Sequence, residues 1–205
     1  MKMGKTELIA LIASTALVAA MCAVVLAVLA CRRAKIKKGV FGKNKLRSVL
    51  RRFSAIRNFK VLSGVTLRLG NRTAYIENIL VSFYGLLLVN TVNDKCEYYG
   101  ERRDMKWTRV GENSREQIPN LIREGEDAMS LLREILGRRG IYNMQIEQYL
   151  VTTRRLKGGA TQMFVSGCPE IMRLSQFKKQ IHKVKYEKDN DVDVDAVIAA
   201  INAAK

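Results

Sequence analysis

Residues 75–93 read YIENILVSFYGLLLVNTVN, and their pattern decides the fold. Two apolar runs rich in β-branched and aliphatic residues, 73–82 and 85–92, are broken at Phe83-Tyr84-Gly85, which predicts an antiparallel hairpin. Glu77 lies in the first strand, with Asn90 and Val92 in the second. Residues two apart share a strand face, so Asn90 and Val92 are expected to project together beside Glu77 into a cleft.

Upstream, KVLSGVTLRLG (60–70) predicts a strand that completes an antiparallel meander, and 97–107 a further edge strand ending near Trp107. Before the meander, Leu46, Val49, Leu50, Phe53 and Ile56 recur at helical spacing with an Arg-rich opposite face, the pattern of an amphipathic helix. Downstream, the spacing predicts a helix over 115–137 and strands over 146–153 and 162–167 around Gly158-Gly159. Helices follow over about 171–182 and from about Asp195, the last capped by Asp193 or Asp195. The order gives an α/β domain with a mixed sheet flanked by helices.

The chain has 205 residues and a formal charge of +17, unevenly placed. Residues 32–72 hold fourteen Lys and Arg and no acid, whereas the chain after Arg72 holds twenty basic and eighteen acidic residues. Ahead of the basic run, residues 8–31 carry no charge and as a helix would be long enough for a hydrocarbon core of about 30 Å. A cleaved signal has a shorter apolar core and precedes a segment that must cross the membrane, which ten basic residues between Arg32 and Arg52 resist. The expectation is therefore a short extracytoplasmic terminus (1–7), a transmembrane helix (8–31), a basic juxtamembrane linker (32–38) and a cytoplasmic domain (39–205), a single-pass protein of the cell membrane. A lipidation box at VLAC, with Cys31 as the acceptor, is the alternative to the anchor. Arg32, Arg33, Lys35, Lys37, Lys38, Lys43, Lys45, Arg51 and Arg52 are candidates to meet anionic lipid headgroups or nucleic acid, between which composition does not choose.

Cys22, Cys31, Cys96 and Cys168 show no zinc or redox spacing, and His182 is the only histidine. DVDVD (191–195) lacks the Gly and the closing Glu of a calcium loop and reads as the acidic amino end of a helix. The Arg pairs at 102–103, 138–139 and 154–155 read as solvated, and Trp107, Tyr98 and Tyr99 as packing, with base stacking as the functional alternative.

The hairpin together with GVFGK (39–43), Gly100, Trp107 and Pro119 resembles the nuclease-related domain family of the restriction-endonuclease-like superfamily, over about residues 39–200. The resemblance implies that family's mixed sheet, with Lys43, Glu77, Asn90 and Val92 at the positions where its members place a helix Glu, an Asp, a Glu and a Lys. A phosphodiesterase site of this kind needs carboxylates to hold Mg²⁺ and an ammonium near the water or the leaving phosphate. Glu77 is the one carboxylate retained, and no metal site or cofactor is expected. The implied function is a membrane-anchored, catalytically inactive binding or scaffold module; the alternative is a tethered Mg²⁺-dependent nuclease acting on DNA or RNA through residues that have shifted.

Overall fold

In a computed structural model, the structure describes residues 18–31, 40–57, 59–153 and 161–205. The chain divides into two compact units, Met1–Phe41 and Gly42–Lys205. In the first, residues 18–31 form a helix, α1, exposed along its whole length although every side chain in it is uncharged. Residues 8–17 of the expected span and all of the 32–38 linker, with Arg32, Arg33, Lys35, Lys37 and Lys38, lie outside the described residues. Among the described residues no helix is long and apolar enough to cross a membrane.

The second unit, into which the helix begun at Val40 runs, is an α/β structure with two mixed sheets. Its elements run α2 (Val40–Ala55), β1 (Lys60–Leu69), β2 (Arg72–Ser82), β3 (Gly85–Val92), β4 (Glu97–Glu101), β5 (Lys106–Val110), β6 (Arg115–Pro119), α3 (Leu121–Gly137), β7 (Gln145–Thr152), β8 (Gln162–Ser166), β9 (Ile171–Arg173), α4 (Leu174–Ile181), a short 3₁₀ turn (Val184–Glu187) and α5 (Val194–Asn202). The main sheet has the order β1-β2-β3-β7-β9. Its first three strands form the expected antiparallel meander, and β7 and β9 continue in parallel from β3.

Helices cover both faces of this sheet, which is why β2 is buried without a break from Ile76 to Ser82 and β3 from Gly85 to Val89. Leu86, Leu88 and Ile146 meet Leu131, Leu132 and Ile135 of α3 and Val197 and Ile201 of α5 on one side. Leu80, Leu87, Val89 and Val151 meet Leu46, Leu50 and Phe53 of α2 and Phe177 and Ile181 of α4 on the other. In β1 and β2 the alternation reverses. Leu62, Ile79 and Val81 share the first cluster with Val65, Leu67 and Ile76, residues of opposite parity. The reversal falls at Gly64, whose φ of 66° is open to glycine and which lies opposite Glu77.

The second sheet, β6-β5-β4-β8, was not foreseen. The single edge strand expected over 97–107 is two strands, with a turn between Glu101 and Lys106. Residues 115–119, expected as the first turn of the long helix, pair with β5 instead. Pro119 ends that strand and Asn120 caps α3, its Oδ1 accepting from the N–H groups of Ile122 (3.0 Å) and Arg123 (3.3 Å). Asn120 Nδ2 donates in turn to the carbonyls of Glu101, Arg102 and Asp104, so this side chain ties α3 to the second sheet. Likewise β7 and β8 do not form a hairpin: β7 joins β3, and β8 joins β4 in parallel. The start of the helix expected at 171 is the short strand β9, and α4 follows it.

Candidate functional site

The pairing of β2 with β3 runs from Ser82↔Gly85 to Asn78↔Val89. Beyond that point side chains replace the ladder. The Glu77 N–H donates to Asn90 Oδ1 (2.9 Å), while Glu77 Oε2 accepts from the Thr91 N–H (2.8 Å) and the Thr91 hydroxyl (2.6 Å). Ser63 donates to Asn78 Oδ1 (2.9 Å), and Asn78 Nδ2 reaches the Val89 carbonyl (3.4 Å). The sheet is therefore closed across its kink by a set of polar groups that satisfy one another. Glu77 is buried at 6% exposure.

Glu77 and Asn90 do stand together, as their strand positions require. Val92 departs from the expectation: it does not face a cleft but is buried among Trp107, Tyr98, Ile122 and Leu150 beneath the second sheet. The physical reason is that β4, β5 and β8 cover the face onto which Val92 projects, and an aliphatic side chain gains by that cover. Trp107 fills this cluster completely, its indole N–H donating to the Glu101 carbonyl (3.0 Å), and a Cβ on Gly100 would come within 2.3 Å of the indole. Gly100 and Trp107, two of the residues that carry the resemblance, are thus one contact.

Gly42 is a second such case. A Cβ there would lie 2.0 Å from Thr153 Oγ1 and 2.2 Å from Asn93 Nδ2, so the absent side chain lets α2 approach the carboxyl ends of β3 and β7. Lys43, the next residue, is exposed, and among the described residues no hydrogen bond or ion pair joins it to Glu77. Asp94 does not turn back toward the hairpin either: Tyr98 and Arg109 hold its Oδ2 at 2.7 and 2.9 Å.

These donors do not fit a divalent cation. The pair offers one carboxylate, one oxygen of that carboxylate already accepts two hydrogen bonds from Thr91, and Asn90 Oδ1 is engaged by the Glu77 N–H. Mg²⁺ takes six oxygens, several of them water, and is held by one or two carboxylates with substrate phosphates; this pair brings a single carboxylate with one oxygen left. Among the described residues no group of three or more His, Cys, Asp or Glu converges as a metal site.

Two polar centres elsewhere escaped the sequence reading. Glu147, at the start of β7, accepts from Tyr84 (2.5 Å), Tyr149 (2.8 Å), Tyr186 (2.7 Å) and Lys185 (2.8 Å). Burial alone would raise its carboxyl pKa, but the Lys185 ammonium and then the tyrosine hydroxyls outweigh it and hold the group at about 2. Burial and the same carboxylate push Tyr84 and Tyr186 upward. This centre joins three segments, the β2–β3 turn, β7 and the 3₁₀ turn, and Glu147 is fully paired within it. The only sign of it in the sequence is a Glu in an otherwise strand-like run.

The other centre is a cleft of about 700 Å³ at the carboxyl ends of β7 and β9, walled by β8 and by the amino end of α4. Lys45 of α2, Arg173 and Lys178 reach it, with Thr152, Thr153 and Ser175 between them, and no carboxylate is among its described lining residues. None of the three cations makes an ion pair among the described residues. Thr153 Oγ1 is buried without a hydrogen-bond partner.

Of the remaining candidates, Lys45, Arg51 and Arg52 are exposed on α2. Arg102 is paired with Glu126 and Glu170, Arg103 with Glu101, and Arg138 with Glu134, while Arg154 and Arg155 lie outside the described residues. All four cysteines are free, and Asp193 caps α5 through the Ala196 N–H. Comparison with family models, with curated proteins and with solved structures gives no match.

Proposed function

We propose that the chain is a membrane-anchored, nuclease-related domain that binds or scaffolds without cleaving. The observation that carries this reading is the closed hairpin. Glu77 is committed to Thr91, Asn90 to the Glu77 backbone, and Val92 to the core under Trp107. A general base or metal ligand needs a free lone pair directed at the reacting atoms, and an electrostatic catalyst needs a charge there. Of these three side chains only Glu77 keeps a free lone pair, at Oε1, and neither Asn90 nor Val92 adds a second carboxylate or an ammonium beside it.

The anchor is supported by α1. A helix whose fourteen described residues are all uncharged and all exposed presents apolar surface on every side, a state that suits lipid rather than water. The basic run behind it places the domain on the cytoplasmic side by the positive-inside rule. On α2, Arg47, Ser48, Arg51 and Arg52 line a shallow cationic groove, which suits anionic headgroups.

The test is calorimetry and cleavage on the full chain in neutral-lipid nanodiscs. Expected results are no heat of binding for millimolar Mg²⁺ or Mn²⁺ and no cleavage of single- or double-stranded DNA or RNA. Metal-dependent cleavage that disappears in Glu77→Ala would replace this reading with that of a tethered nuclease. Topology is tested separately: a protease outside right-side-out vesicles should leave the domain whole, and cutting it from that side would overturn the orientation.

A further inference from the structure

From the cleft beside β9 we infer that this domain binds a nucleotide unit, its phosphate among Lys45, Arg173 and Lys178 and its base on Phe164. The inference rests on the binding-module reading and names its ligand. In an open α/β sheet the crevice outside the carboxyl ends of parallel strands is where ligands bind, because loops diverge there and leave room. This cleft lies at those ends of β7 and β9, and it shares no described residue with the Glu77–Asn90 pair.

Its chemistry selects an anion. Three cations line one cleft with no carboxylate among its described lining residues, a costly arrangement for a protein alone and a favourable one around phosphate. Ser175 and Gln176 bring the first turn of α4 to the wall, where Gln176 Oε1 accepts from the Arg173 N–H (2.9 Å). The dipole of α4 adds to the positive field at that end. The acids beside the site are already paired: Glu170 with Arg102 at 2.6 Å, Glu101 of the neighbouring groove with Arg103 at 2.8 Å, and Glu97 with the Tyr99 hydroxyl at 2.6 Å.

The rim selects the base. Phe164 of β8 lines the cleft and also the shallow groove next to it. It stacks on Tyr99 of β4 with ring centroids 5.0 Å apart and an interplanar angle of 14°, and 51% of it is left to solvent. Two stacked, exposed aromatic rings on a sheet surface form a platform onto which a base can extend the stack, and such stacking tolerates any base. A simple phosphate has no use for this platform, nor has a metal ion.

A nucleotide unit of this kind is found either free or within a single strand, and fluorescence anisotropy distinguishes the two sources. A labelled single-stranded twelve-nucleotide probe is titrated with the full chain in neutral-lipid nanodiscs, then competed with nucleoside monophosphates, inorganic phosphate and duplex. Lys178→Ala should weaken probe binding at least fivefold and reduce the slope of log K against log salt by about 0.7, the loss of one phosphate contact. Phe164→Ala should weaken binding by about five- to a hundredfold and leave that slope unchanged. Competition by monophosphates at equal phosphate concentration identifies a free nucleotide; competition by unlabelled strand alone identifies nucleic acid.

Absence of binding, or binding that neither Lys178→Ala nor Phe164→Ala alters, overturns the inference. So does inorganic phosphate that competes as well as any nucleotide, since the aromatic rim would then contribute nothing. Both side chains are exposed, and unchanged thermal midpoints will show that the variants are folded. Cleavage of the probe with metal, abolished by Glu77→Ala, would overturn the proposed non-cleaving function while leaving this site to be judged by its own two variants.

Discussion

The hairpin end and the β9 cleft lie in one sheet and are built on opposite terms. At the hairpin, Glu77, Asn90 and Thr91 satisfy one another and Val92 is packed away. At the cleft, Lys45, Arg173 and Lys178 make no ion pair among the described residues. Polar groups that have found partners inside the protein stabilise the fold, and their free energy is already spent. Groups left without partners offer theirs to a ligand. The contrast locates binding at a place different from the one where the resemblance would look for catalysis.

The comparison breaks most readily at Val92. Val92→Lys would put an ammonium into an apolar cluster with no carboxylate in it, and the expected destabilisation is about 3–5 kcal/mol, measured by urea unfolding of the full chain in detergent. If the variant is as stable as the parent, Val92 faces an open cleft and the hairpin is not closed. Trimming Asn120 to Ala removes two cap acceptances and three donations at a site 1% exposed, and should cost about 3 kcal/mol. A loss below about 0.5 kcal/mol would mean that the second sheet is not held to α3 by this side chain.

Glu77→Ala should cost about 1–3 kcal/mol, because it leaves the Thr91 N–H without its acceptor in a largely buried place. Loss of activity without loss of stability would point instead to a catalytic carboxylate. Glu147 gives a pH signature. Its folded pKa of about 2 lies below the unfolded value of about 4.3, so the unfolded state binds the proton first as pH falls. The stabilisation is fully present above about pH 4.5 and is lost down through about pH 2. Discounted for solvent screening of a partly exposed group, it amounts to about 1–2 kcal/mol. Unfolding followed between pH 5 and 2 should show this slope in the parent and a flatter one in Glu147→Gln; equal slopes would remove Glu147 as the cause. Smallest of all, Lys45→Ala and Lys178→Ala should change stability by less than about 0.5 kcal/mol. A larger loss in either would mean that the cleft cations are structural and the two regions are alike.

How far this could be read ahead differs by element. The meander, α2 and α5 were legible because each carries its own periodicity and its own cap or turn, and those signals are local. The second sheet was not. Residues 115–119 carry one apolar side chain, Ile118, which fits the helical spacing of Leu121 and Ile122 as well as it fits a strand; pairing with Lys106–Val110 decided it. The β9 cleft was also invisible, since Lys45, Thr152, Phe164 and Ser175 come from four elements and none is conspicuous alone. Glu77 and Asn90 were legible as neighbours because a hairpin fixes its own register.

The amino-acid sequence by itself determined the α/β class, the hairpin register, the apolar and basic amino-terminal segments, and the replacement of two acids and a lysine at the positions the resemblance names. Only the tertiary structure decided that Val92 is sealed under Trp107, that Glu77 Oε2 is engaged by Thr91, and that cations of α2, β9 and α4 line one cleft. The physical reason is range. Hydrophobic period, turn chemistry and capping act within a few residues, whereas the worth of a polar group depends on which partners the fold brings to it and how much water it leaves.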